Sequence, residues 1–135
     1  MADLIIYTDG GARGNPGPAG AGAVFYKDGK IVAELSKPLG RRTNNHAEYE
    51  ALILALKKAK QLGFSKRSVE VRMDSELIVR QLNNRYQVKE ETLWPQYMRV
   101  HNLLVSDFPD THFVHVPREK NKEADTLANK AMDGQ

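Results

Sequence analysis

Cysteine is absent from the 135 residues. That removes disulfides, thiolate zinc sites and cysteine nucleophiles together, and it suits a reducing compartment. No apolar run approaches the ~18 residues that a membrane helix needs. Acidic Asp3 ahead of Leu4-Ile5-Ile6-Tyr7 is not the basic start of a secretory signal. There is no internal repeat, no low-complexity tract and no Pro/Gly/Ser linker. These absences lead us to expect one domain over residues 1–135, soluble and cytoplasmic, with no membrane and no disulfide partner.

What is present is ordinary for a folded protein. Hydrophobic residues make up 41% and charged residues 27%, close to globular averages, so collagen-like and disordered readings fall away. A chain of this length buries roughly two-thirds of its unfolded surface, enough for a core. Net charge is +3, but residues 41–90 carry eleven basic against six acidic side chains. A basic centre fits a polyanion partner, and solvated Lys-rich helices explain it equally well.

Leu4 to Thr8 is a continuous apolar and β-branched run, the pattern of a central strand covered on both faces. Six of the ten glycines then fall between Gly10 and Gly22, which predicts a turn followed by a small-residue strand from Ala19 to Tyr26. Asp28-Gly29 signals a hairpin into Lys30-Ile31-Val32, so the first three strands should form an antiparallel meander. From Ala47 to Leu62 the period turns helical, with Leu52, Ala55, Leu56 and Ala59 on one stripe and Gly63 as the stop. Val69, Val71 and Met73 alternate with charged residues as a fourth strand. A short helix over 76–82, a helix over 93–105, a fifth strand over 113–116 and a helix over 122–132 follow. The order is βββαβααβα, an α/β fold with a mixed sheet flanked by helices.

Four acids stand where a carboxylate is awkward. Asp9 ends the first run, directly before Gly10-Gly11. Glu48 lies on the apolar stripe of the long helix, Asp74 closes the fourth strand, and Asp125 sits beside the Ala124, Leu127, Ala128 and Ala131 face. Each has a structural reading: Asp74 as a helix cap, Glu48 as a dipole partner, Asp9 as a turn residue, Asp125 as a flank residue. Together they converge on one sheet edge. Like charges ~4 Å apart repel by roughly 4 kcal/mol at an effective dielectric of ~20, so such a cluster calls for a cation. Oxygen ligands suit Mg²⁺ or Mn²⁺ and not Zn²⁺. Two such ions would clamp the attacking water and the leaving oxygen of a phosphodiester.

The stretches that carry these acids resemble the four motifs of type 1 ribonuclease H, in the family's order. They are Tyr7-Thr8-Asp9-Gly10-Gly11-Ala12-Arg13-Gly14-Asn15-Pro16-Gly17-Pro18, Thr43-Asn44-Asn45-His46-Ala47-Glu48-Tyr49, Met73-Asp74-Ser75-Glu76-Leu77 and Asn121-Lys122-Glu123-Ala124-Asp125-Thr126-Leu127-Ala128. The resemblance spans nearly the whole chain. It implies the ribonuclease H-like fold, a five-stranded mixed sheet with antiparallel first strands and parallel fourth and fifth. It also implies a monomeric endonuclease that cuts the RNA strand of RNA–DNA hybrids with two Mg²⁺ or Mn²⁺ ions, leaving 5′-phosphate and 3′-hydroxyl ends.

Carried over by position, Asp9, Glu48, Asp74 and Asp125 become the catalytic metal ligands. Gly11, Asn15, Thr43, Asn44 and Asn45 become substrate-binding residues, with Thr43 and Arg41 or Arg42 at a DNA-strand phosphate. Asn44 or Asn45 would equally make a helix N-cap. Gly14-Asn15-Pro16-Gly17 matches no nucleotide-cofactor loop. Two departures stand out. The basic, Trp-bearing helix after the third motif shrinks to Asn83-Asn84-Arg85-Tyr86-Gln87-Val88-Lys89, so the chain resembles the subgroup without this protrusion. The His-bearing loop before the last helix is only Pro117-Arg118-Glu119-Lys120-Asn121, which leaves Arg118 as the substitute catalytic group, with a plain surface charge paired with Glu119 or Asp125 as the alternative. His115 reads as a packing residue, and Trp94, Tyr97, Leu103 and Leu104 as core. A non-catalytic nucleic-acid-binding module and a junction resolvase of the same fold are the rival readings.

Overall fold

A computed structural model describes residues 2–135. Among them the chain forms strands β1 (Leu4–Ala12), β2 (Gly17–Lys27) and β3 (Lys30–Arg42), helix α1 (Asn44–Gln61), strand β4 (Val69–Met73), helices α2 (Glu76–Leu82) and α3 (Trp94–Ser106), strand β5 (Thr111–His115) and helix α4 (Lys122–Asp133). Single 3-10 turns at Glu91–Leu93 and Arg118–Lys120 precede α3 and α4. The sheet order is β3-β2-β1-β4-β5. β1, β2 and β3 pair antiparallel, while β4 joins β1, and β5 joins β4, in parallel. The predicted hairpin forms, with both Asp28 and Gly29 at positive φ, as a tight primed turn demands.

The core lies between the sheet and α1. Leu4, Ile6, Phe25, Val71 and Met73 from the strands meet Tyr49, Leu52 and Leu56 from the helix, all fully buried. Each such side chain contributes about 1.5–3 kcal/mol by leaving water. α3 packs against α1, and α4 packs on β1, β2 and β3.

β1 and α1 run past the ends that the periodicity predicts. β1 does not stop at Thr8; it stays paired with β2 out to Ala12↔Ala19. Gly10, Gly20 and Gly22 are strand residues whose missing side chains admit α1 and α4, and the expected turn is confined to residues 13–16, with Gly14 at positive φ. α1 starts at Asn44, three residues early, because Thr43 caps it and accepts a hydrogen bond from the His46 amide at 3.2 Å. The N-cap is therefore Thr43 and neither Asn44 nor Asn45.

Two packing expectations fail. Trp94 is 49% exposed; its indole N–H donates to the Val88 carbonyl at 2.8 Å and pins the short segment that stands in place of a basic protrusion. Tyr97, Leu103 and Leu104 do pack against the core, partly buried. His115 is exposed and not a packing residue: it shares the face of Phe113 but stands at the last position of an edge strand.

Candidate active site

Adjacent strand ends place the first two acids. The parallel pairing of β1 with β4 ends at Tyr7↔Arg72, and Asp9 and Asp74 each lie two residues further on. Asp74 leads straight into α2 without capping it; Ser75 does that, accepting from the Ile78 amide at 3.3 Å.

Two glycines place the other acids. A Cβ on Gly10 would sit 2.2 Å from the Ala47 carbonyl oxygen of α1, and one on Gly22 would sit 2.2 Å from the Ala124 carbonyl oxygen of α4. Gly10 follows Asp9 in the chain, and Gly22 is its cross-strand partner. Both helices thus touch the sheet backbone beside Asp9, and the next residue in each, Glu48 and Asp125, is an acid.

Asp9, Glu48 and Asp74 each bring a carboxylate oxygen to within 4.8 Å of the others. The Asp125 carboxyl lines the same cleft as these three, and its proximity raises that of Asp9. Asp9 and Glu48 are buried and Asp74 partly so. Burial, followed by the charges of Glu48, Asp74 and Asp125, pushes the Asp9 carboxyl up to about 9. Burial raises Glu48 to about 8, opposed by a hydrogen bond from the Gly10 amide at 2.8 Å and by the positive charge of Arg118. Among the described residues no salt bridge neutralises any of the four acids. An oxygen-only donor set with unbalanced negative charge fits hard divalent cations such as Mg²⁺ or Mn²⁺.

The acids floor a cleft of about 420 Å³ that also carries Gly11, Asn44, Asn45, Ser75, Arg118, Asn129 and Met132. Arg118, Asn44, Asn45 and Gly11 therefore join the acids as expected. Asn15 reaches the cleft through Asn44: its Oδ1 accepts from the Asn44 amide at 3.0 Å, while the Asn44 Oδ1 accepts from the Ala12 amide at 2.8 Å. Both side-chain oxygens face inward, which leaves each NH₂ as a donor without an internal acceptor among the described residues.

Thr43 falls outside the acid cleft, in a neighbouring pocket with Arg41, Arg42, His46, Gln96 and Arg99. Arg42 is held by Glu50 at 2.8 Å. The His46 Nε2 faces the Thr92 carbonyl at 2.9 Å and must donate to it. With the ring neutral, the Nδ1 then accepts from the Thr43 hydroxyl at 2.8 Å.

Three residues escaped the sequence reading. Asn129 and Met132 follow Asp125 on α4 at helical spacing, a signal present but indistinguishable from an ordinary helix face. Asn121 lies beneath the cleft and donates to Asp74; at a helix start it reads as a cap.

Comparison with known proteins agrees with this geometry. Residues 7–131 match the family model described as "Reverse transcriptase-like". Ribonuclease HI of Halobacterium salinarum is 46% identical over 128 residues, covering 94% of this chain and 63% of that protein. The bifunctional protein Rv2228c of Mycobacterium tuberculosis is 44% identical over 132 residues, covering 96% of this chain and 35% of its own length. The chain therefore spans less than two-thirds of either relative. LC11-RNase H1, isolated from compost by a metagenomic approach, superposes with a TM-score of 0.94 at 51% identity, covering 99% of this chain and 98% of that one. A second structure of it, in complex with an RNA/DNA hybrid, gives a TM-score of 0.93 over 97% of both chains. With the sheet order, the four acids and these likenesses in agreement, the chain belongs to the type 1 ribonuclease H family.

Proposed function

We propose that this chain is an endonuclease that hydrolyses the RNA strand of RNA–DNA hybrids. It would act as a monomeric single domain with two Mg²⁺ or Mn²⁺ ions and leave 5′-phosphate and 3′-hydroxyl ends. The observation that carries this reading is the convergence of Asp9, Glu48 and Asp74 within 4.8 Å, unneutralised, under a cleft rimmed by Asn44 and Asn45. A relative 51% identical to this chain has been crystallised in complex with an RNA/DNA hybrid, which supports the same substrate here.

Asp9, Glu48, Asp74 and Asp125 would hold the ions, and bound divalent ions supply Lewis-acid stabilisation for an in-line displacement at phosphorus. The chain's own residues do the rest. The Gly10 amide fixes one oxygen of Glu48, so this carboxylate keeps one orientation as charge enters the site. Selecting RNA requires reading the 2′-hydroxyl, which both donates and accepts. The NH₂ groups of Asn15 and Asn44, without internal acceptors among the described residues, can donate to it, and Gly11 lines the same cleft. Arg118, whose charge already acts on Glu48, can bind the departing phosphate as a planar bidentate donor.

Incubation with end-labelled RNA–DNA hybrid, duplex RNA and duplex DNA, each with Mg²⁺ or Mn²⁺, tests the proposal. Cleavage confined to the RNA strand of the hybrid is expected. No cleavage with either metal would refute it.

A further inference from the structure

We infer that Asn121 is a positioning residue for the acid cluster, an inference that rests on the metal-dependent reading above. Asn121 stands directly before α4, where an asparagine ordinarily caps the helix through its side-chain oxygen. It makes no such cap bond. Its side chain turns inward and is completely buried. There the Nδ2 donates to the Thr8 carbonyl at 2.9 Å and to the Asp74 Oδ2 at 3.3 Å. Its own carbonyl accepts from the Asp125 amide at 3.0 Å. One residue is therefore bonded to the peptide that precedes Asp9, to the carboxylate of Asp74 and to the backbone of Asp125.

The arrangement costs stability in two ways. The helix goes without its side-chain cap, and the buried Oδ1 has no hydrogen-bond partner among the described residues. The cost has a counterpart in chemistry. A donor on one oxygen of Asp74 fixes the rotation of that carboxylate and leaves its other oxygen for a cation, the usual work of a group behind a ligand. An amide suits this place because it donates without charge; a carboxylate of the same shape would add a fifth negative group, and a lysine would neutralise the site. β1, β4 and α4 come from distant parts of the sequence, and Asn121 is the side chain that bonds to two of them from the start of the third.

The full chain, with Asn121→Ala and isosteric Asn121→Asp, should be titrated with Mn²⁺ by calorimetry after folding is checked by circular dichroism. Hybrid cleavage should be titrated with Mg²⁺ at saturating hybrid. Both variants should bind Mn²⁺ roughly 10- to 100-fold more weakly, with the Mg²⁺ midpoint for cleavage raised in parallel and the KM for hybrid unchanged. In the parent, Mg²⁺ should shift the side-chain amide resonances of Asn121 in ¹⁵N-resolved NMR, a measurement that needs no substitution. A purely structural Asn121 would lower Tm while leaving Mn²⁺ affinity and the turnover of the folded fraction at parental values, and that result would overturn the inference. So would an amide signal indifferent to Mg²⁺ in a parent that binds it. A parent that neither binds Mn²⁺ nor cleaves hybrid would remove the metal-dependent reading, and this inference with it.

Discussion

The amide of Gly10 donates to a carboxylate oxygen of Glu48 at 2.8 Å, so the residue after one acid of the cluster orients another from a different element. Only a residue without a side chain can stand there, because α1 comes against the same backbone. The link makes Asp9 and Glu48 one unit. Burial raises both carboxylates; Asp9 is raised further by the charges of Glu48, Asp74 and Asp125, and Glu48 by that of Asp74, against the opposing Gly10 hydrogen bond.

Asp9→Asn should abolish cleavage and yet stabilise the metal-free protein. The asparagine keeps the shape and removes the group that burial and three acids oppose. Turnover should fall at least ~100-fold, or ~2.7 kcal/mol of barrier. A relief of about 1 kcal/mol would raise Tm by about 3–6 °C in a chain of this size. Thermal melts in EDTA at pH 8 and a hybrid-cleavage assay check both halves. Asp74→Asn should be equally inactive, and near-parental turnover in either would exclude the two-metal assignment.

Metal-free stability should decline as pH rises. The folded pKa values of Asp9 and Glu48 are raised to about 9 and about 8 from ordinary values of 3.8 and 4.5. Between those limits the folded state holds protons that the unfolded chain has released, so stability is lost from about pH 4 towards pH 9. A divalent cation replaces those protons, and its binding should release them. The Tm increase given by Mg²⁺ should therefore be larger at pH 8 than at pH 6. Calorimetry in buffers of different ionisation enthalpy should show proton release; a pH-independent Tm shift would contradict the assignment.

Much of this was legible in the chain. Alternation fixed β4 to the residue, and the short helix expected over 76–82 forms with those bounds. Each of the four acids has a structural reading alone; they were conspicuous together, because four carboxylates converging on one sheet edge call for a cation. Three kinds of information were not legible. The glycines of β1 and β2 resemble a turn, because nothing local says that α1 and α4 will press against them. Trp94 resembles core, because its partner is a backbone carbonyl in an irregular segment. Asn121 resembles a cap, because its bonds go to residues 113 and 47 positions away.

Gly22→Ala should loosen α4. The new methyl group would meet the Ala124 carbonyl oxygen at 2.2 Å and the Ala128 amide nitrogen at 2.5 Å, neither of which can move without the helix. Overpacking of this kind costs about 1–3 kcal/mol. Because Asp125 rides on the same helix, the Mg²⁺ concentration for half-maximal cleavage should rise as well. Urea denaturation and a Mg²⁺ titration measure the two effects. An unchanged Mg²⁺ requirement would mean that Asp125 is placed independently of this contact.

Hybrid binding should depend weakly on salt. Residues 83–90 form a short irregular segment in place of a basic helix, pinned by Trp94 and by the Tyr97 hydroxyl on Asn84. Fewer phosphate contacts give a shallower slope of log affinity against log salt. Grafting a Lys/Arg-rich helix between Asn84 and Lys89 should steepen it and lower KM with little change in turnover. A native slope that implies as many as ~6–10 phosphate contacts would contradict this.

Arg118→Ala should slow the chemical step. Arg118 sits on the 3-10 turn before α4, faces the acid cleft, and lowers the Glu48 carboxyl from where burial alone would place it. A guanidinium keeps its proton at any physiological pH, so it cannot serve as the general base. It can hold the departing phosphate through two parallel N–H donors. Its removal should cost at least tenfold in turnover at saturating hybrid and metal, about 1.4 kcal/mol. The acid limb of the pH–activity profile should also move upward, because Glu48 loses the charge that opposes its burial. Arg118→Lys should restore the position of that limb better than it restores turnover, since lysine keeps the charge and lacks the planar fork. His115→Ala is the control: the side chain is exposed on the edge strand, so stability and turnover should both stay near parental values. Equal turnover for Arg118→Ala and the parent would return Arg118 to the ordinary surface charges and leave the departing phosphate to the metal site alone.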